Sequence, residues 1–61
     1  MEQVRITIDT GNAAFEDEPA SEIARILRKI AEDFESGAQP TLVRDSNGNR
    51  VGEVVVFSDY P

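Results

Sequence analysis

Only one stretch of this chain has the periodicity of a helix, and every other regular stretch alternates like a strand. Ile23, Ile26, Leu27, Ile30, Ala31 and Phe34 recur at spacings of three and four, the apolar stripe of an amphipathic helix. A lone helix must bury that stripe against a sheet, since there is no second helix to receive it. Its ends are marked too. Pro19 suits the first turn, the acids Asp17, Glu18 and Glu22 lie near the positive end of the dipole, and Gly37 is placed to cap it in the left-handed conformation.

The strands are read from the period of two. Val4, Ile6 and Ile8 alternate with Arg5 and Thr7, predicting a strand over residues 3–9. Thr10-Gly11-Asn12 breaks the alternation, and Phe15 closes a short apolar patch that should anchor the loop beneath the helix. Residues 41–44 and 50–57 read as two strands around Asp45-Ser46-Asn47-Gly48-Asn49. Asn-Gly favours turns with positive φ; alternatively, Asp45 opening a type I turn with Gly48 left-handed gives a hairpin with a bulge. Sequence leaves the register open. Val54, Val55, Val56 and Phe57 are apolar on both faces, as expected of a central strand, and residues 58–61 read as a short tail.

The expected fold is therefore α+β: a single helix packed on one face of a three-stranded sheet, in the order β-α-β-β. The third strand is central and antiparallel to both neighbours, and the crossover is right-handed. Residues 1–61 form a single small domain with room for one core. That core is expected to comprise Val4, Ile6, Ile8, Ile23, Ile26, Leu27, Ile30 and Phe34, with Val43, Val55 and Phe57 contributing. The second sheet face has no helix to cover it, so apolar side chains there are candidates for association.

Composition narrows the function. The 61 residues include no cysteine and no histidine. Disulfides and cysteine-held zinc are thereby excluded, and the usual general base and commonest metal ligand are missing. Asp9-Thr10-Gly11 matches the loop of aspartic proteases, but there is no second copy and too little chain for a substrate groove. Asp45, Asn47 and Asn49 alternate like the first half of a calcium loop, yet Arg50 stands where its glycine belongs and Val56 where its glutamate belongs. A non-enzymatic protein with no metal and no cofactor is expected. No stretch approaches the roughly 20 apolar residues of a membrane span, and residues 1–10 lack a secretory pattern, so the expectation is a cytoplasmic protein without a membrane partner.

Twelve acidic residues face six basic ones, for a net charge of -6. Residues 9–22 carry five acids and no Lys or Arg, a net -5. Dipole stabilisation and solubility account for part of this. The sharper reading takes Glu16, Asp17, Glu18, Glu32, Asp33 and Glu35 as a partner-binding strip that imitates nucleic-acid phosphates. Arg5, Arg44 and Arg50 are expected on strands, a basic patch too small and too poor in stacking aromatics to bind nucleic acid directly.

Taken together, Ile8-Asp9-Thr10, the run from Asn12 to Asp17, the run from Glu22 to Arg28 and the run from Asp45 to Gly52 resemble a recurring kind of very small acidic phage and prophage protein. The resemblance covers most of the chain and lies in structural punctuation and helix faces, so it carries over no catalytic residue. It implies a phage-derived protein acting in the cytoplasm of a bacterial host, similar in strategy to anti-CRISPR proteins. Such a protein would be a stoichiometric inhibitor that docks on the basic surface of a host nucleic-acid-handling defence complex. The alternative is a structural or adaptor module associating through its open sheet face or an edge strand. A mimic is expected to be a monomer or weak homodimer whose partner capture weakens with salt, whereas sheet association tolerates salt.

Overall fold

The computed structural model describes residues 3–57, in the order β1 (Gln3–Ile8), a short 3-10 turn (Ala13–Phe15), α1 (Pro19–Glu35), β2 (Leu42–Arg44) and β3 (Arg50–Phe57). The tail expected at 58–61 lies outside the described residues. The strands form one antiparallel sheet in the order β1-β3-β2, with β3 in the centre. The α+β architecture and the central third strand agree with the sequence reading. No helix among the described residues is long and apolar enough to cross a membrane.

Both ends of α1 follow from local chemistry. Pro19 takes a first-turn position, where its missing N–H leaves no bond unmade. At the other end Gly37 adopts φ 88°. Its N–H donates to the Phe34 carbonyl at 3.1 Å and that of Ala38 donates to Asp33 at 2.9 Å, the paired bonds of a Schellman cap. Phe15 is buried against the helix, as its place in the loop suggested.

The hairpin resolves to the bulged alternative. Gly48 has φ 84°, and its N–H donates to the Asp45 carbonyl at 3.0 Å. A second bulge, not expected from the turn, follows in β3: Val43 pairs with Gly52 but Arg44 pairs with Arg50, so β3 holds one more residue than β2 at that point. This extra residue lets Val51 and Val54, three apart in sequence, both enter the core with Phe15, Ile26, Ile30 and Val43.

The bulge also corrects the expected core. Simple alternation pointed to Val55 and Phe57; with the register shifted, Val51 and Val54 are buried instead, Val55 is half-buried and Phe57 is exposed on the opposite face. A second correction concerns β1. Ile6 pairs with Val54 and Val4 with Val56, which places both on the helix side of the sheet. Yet they are 42% and 37% exposed, because α1 packs over β2 and the first half of β3 and leaves β1 open. Leu27, on the helix flank turned away from Lys29 and β2, is 43% exposed for the same reason. Ile8, Ile23 and Phe34 are half-buried at the margin of the core.

At Gly52 the backbone of β1 lies against β3 with no room for a side chain. A Cβ built there would lie 1.8 Å from the Thr7 carbonyl oxygen, a backbone atom that can yield only if the strands part. Gly52→Ala is therefore expected to destabilise the domain by about 1–3 kcal/mol or more. Gly11→Ala, where nothing lies within 4 Å, should leave the thermal midpoint nearly unchanged; thermal unfolding of the two variants side by side checks this.

Candidate partner-binding surface

The acidic residues divide into those the fold uses and those it leaves free. Glu22 and Asp45 are used, and both are buried. Glu22, in the first turns of α1, accepts from Arg25 Nε at 2.8 Å and Arg25 Nη2 at 2.9 Å, a bidentate pair within the helix. Its Oε2 also accepts from the Ser46 backbone N–H at 2.7 Å, which ties the helix to the hairpin turn 24 residues away. Arg25 Nη2 reaches the Arg44 carbonyl at 3.4 Å and strengthens the same junction.

Asp45 organises the turn itself. Its Oδ1 accepts from the backbone N–H groups of Asn47 and Asn49, each at 2.9 Å, and its Oδ2 accepts from Asn12 Nδ2 at 2.6 Å. Asn12 Oδ1 in turn accepts from the Ala14 N–H at 3.2 Å and starts the 3-10 turn. The Asp45-x-Asn47-x-Asn49 alternation that resembles half a calcium loop is thus a turn closed on its own carboxylate.

These contacts set the acidity of both groups. The Arg25 hydrogen bonds, joined by the Ser46 N–H, hold the Glu22 carboxyl below its ordinary value despite its burial. For Asp45, burial pushes upward, but the donors from Asn49, Asn12 and Asn47 together outweigh it and bring the carboxyl below the usual range.

The six carboxylates read from sequence as a binding strip fall into two groups. Glu16, Asp17 and Glu18 are exposed where the chain enters α1; Glu32 and Glu35 are exposed in its last turn, with Asp33 half-buried beside them. A 1.5 Å rise per residue puts the two groups about 20 Å apart along the helix. Arg25, Arg28 and Lys29 lie between them, so the structure does not join the six into one continuous strip. Asp33 is engaged by Lys29 at 2.8 Å. Among the described residues, Glu16, Asp17, Glu18, Glu32 and Glu35 form no ion pair.

The two groups differ in how the helix treats them. Acids at the start of α1 complement its dipole, whereas Glu32, Asp33 and Glu35 sit at the negative end, in a last turn with no basic residue. Helix stability accounts for the first group and opposes the second. Beside the first group, Ala14, Asp17, Glu18, Ser21, Glu22 and Arg25 line a broad, open depression. On the other flank a cleft of about 40 Å³ lies between α1 and β2, bounded in part by Ile26, Ile30, Leu42 and Val43.

The open face of the sheet carries the strand arginines. Arg44 and Arg50 are partners across the hairpin. Each is occupied within the fold: Arg44 Nη1 donates to the Gly48 carbonyl at 3.0 Å, and Arg50 lies 3.9 Å from Glu53. Arg5 stacks over the Phe57 ring, 5.0 Å from its centroid.

No family model, curated protein or solved structure matches the chain. The sequence pattern gave no sign of the Glu22–Ser46 and Asn12–Asp45 bonds, because such contacts between distant residues follow no periodicity.

Folding is linked to pH through Glu22 and Asp45. Both are less readily protonated folded than unfolded, so their contribution is full above about pH 5 and lost as the pH falls below about 4. Thermal unfolding followed from pH 7 to pH 3 is expected to show a falling midpoint over that acid range. Glu22→Gln should lower the midpoint at pH 7 and shrink the acid-induced drop; an unchanged drop would remove Glu22 from this role.

Proposed function

We propose that this chain is a small binding protein without catalytic chemistry, which docks the free carboxylates at the two ends of α1 on a basic, nucleic-acid-binding surface of a bacterial host's defence machinery. In this reading it acts stoichiometrically, with the strategy of anti-CRISPR proteins, in keeping with the small acidic phage proteins that its sequence resembles, and it works in the host cytoplasm. The reading rests chiefly on Glu32 and Glu35, which are exposed, form no ion pair among the described residues and are set at the helix end where negative charge is unfavourable. Charges that cost the helix stability call for another use. A basic partner supplies one, since cations brought to that end complement both the carboxylates and the dipole.

The folded frame supports this use. Glu16 to Glu18 are held near the turn that Asn12 and Asp45 fix, and Glu32 and Glu35 ride on a capped helix end. The carboxylates are thus presented with little ordering left to do on binding. Phosphates of a nucleic acid likewise present negative charge on a stiff frame, and arginine-lined channels read such charge without needing bases.

Affinity capture from host lysate at low and high salt, with and without competing double-stranded DNA, tests the proposal. The chain is expected to retain a nucleic-acid-binding complex at low salt and to release it to salt and to DNA. Reversal of Glu16, Asp17 and Glu18 to Lys, or of Glu32 and Glu35 to Lys, should weaken capture at least about tenfold, equivalent to about 1.4 kcal/mol. Asp33→Ala, whose charge Lys29 already engages, should have the smaller effect. Undiminished capture by folded charge-reversed variants would sink the proposal.

A further inference from the structure

We propose that two copies of this chain pair through β1, edge to edge and antiparallel, to form a six-stranded sheet with both helices on one face. The proposal concerns residues other than the acidic groups above and stands independently of them. β1 is an outer strand of six residues with no proline and no bulge, the kind of edge that invites pairing unless something blunts it. The opposite edge is better guarded: β2 has only three residues and follows Pro40 at close range.

The ladder shows which groups β1 offers. The Asp9 N–H donates to the Val51 carbonyl at 2.7 Å, so the odd-numbered residues of this strand direct their backbone groups at β3. Those of Val4, Ile6 and Ile8 consequently point outward, a row of three donor–acceptor pairs. A twofold axis at Ile6 satisfies all of them at once: Val4 pairs with Ile8 of the second copy, Ile6 with Ile6, and Ile8 with Val4. On the helix side this register sets apolar residues opposite apolar residues.

Charge and exposure agree with a second copy as the occupant. On the far side β1 reads Gln3, Arg5 and Thr7, followed directly by Asp9, so the row is cationic toward one end and anionic just past the other. An antiparallel copy turns each Arg5 toward the Asp9 end of its neighbour, a self-complementary arrangement. Among the described residues, the large apolar side chains left open beside this edge are Val4, Ile6 and Leu27. In the paired sheet Ile6 meets Ile6 of the second copy and Val4 meets its Ile8, with Leu27 flanking the gap between the two helices, which explains why β1 keeps an apolar row that its own helix does not cover.

Sedimentation of the full chain over a micromolar concentration series tests the pairing. The expected result is a reversible dimer, twice the 6.7 kDa chain mass, that persists at high salt. Ile6→Lys should raise the dimer dissociation constant at least about tenfold, whereas Leu42→Lys, equally exposed but on the opposite edge strand, should not. Cysteine placement gives a readout independent of that charge. The chain has no cysteine of its own, and Ile6→Cys brings two Cα atoms to about 5.5 Å in this register, within disulfide range. Mild oxidation should link Ile6→Cys chains and leave Leu42→Cys chains unlinked. A monomer throughout the series, a dimer indifferent to Ile6→Lys, or equal linking at both positions would overturn the proposal. Should Ile6→Lys fail to fold, the absence of linking in Ile6→Cys would do so on its own.

Discussion

Glu22 accepts two hydrogen bonds from Arg25 in its own helix and a third from the backbone of Ser46, so that one carboxylate spans α1 and the β2–β3 hairpin. Asp45 makes the complementary connection, from the same turn to Asn12 in the loop leaving β1. Among the described residues, six apolar residues form the buried core, and a chain of this size has little further apolar surface to bury. The relative placement of loop, helix and hairpin therefore depends heavily on these two charges. Removing either partner would strand a buried charge or orphan a buried donor, which costs more than the bond itself contributes.

This arrangement divides the acidity by role. Glu22 and Asp45 work inside the fold, Asp33 is engaged by a lysine one turn away, and Glu16 to Glu18 sit favourably at the positive end of a dipole. Of the acids on the helix itself, Glu32 and Glu35 remain, at an end where they oppose it. The net charge of -6 thus overstates what is free to act outward, and position decides which charges matter. Acidic docking and association through the sheet involve different residues, the first at the helix ends and the second along β1. They need not compete, and a pair of chains would carry twice the set of free carboxylates.

Features governed by local chemistry were legible in the sequence. The helix stripe, Pro19 and Gly37 at its ends, Gly48 in the turn and the central place of the valine-rich strand all follow from residue types acting on their immediate neighbours. The bulge marks where such reasoning stopped. One extra residue at Val51 reverses the faces of β3, so burial moves from Val55 and Phe57 to Val51 and Val54. Alternation cannot signal this, because the pattern apolar on both faces is equally consistent with either register. The open flank of β1 was hidden for a similar reason: Val4 and Ile6 have the spacing of core residues, and only the lateral position of α1 leaves them uncovered. Of the candidate site, the six acids were legible by charge alone, while their separation into two groups required the helix to be placed.

Backbone hydrogen exchange at the hairpin turn tests the role of the two buried carboxylates most directly. Ser46, Asn47 and Asn49 are exposed residues in a tight turn whose N–H groups donate to Glu22 and Asp45. They should be protected to nearly the level of the central-strand amides, with the protection of Ser46 lost in Glu22→Gln. Exchange of all three at the rate of an unstructured chain would contradict the account, because apolar packing rather than the two carboxylates would then have to hold helix and hairpin together.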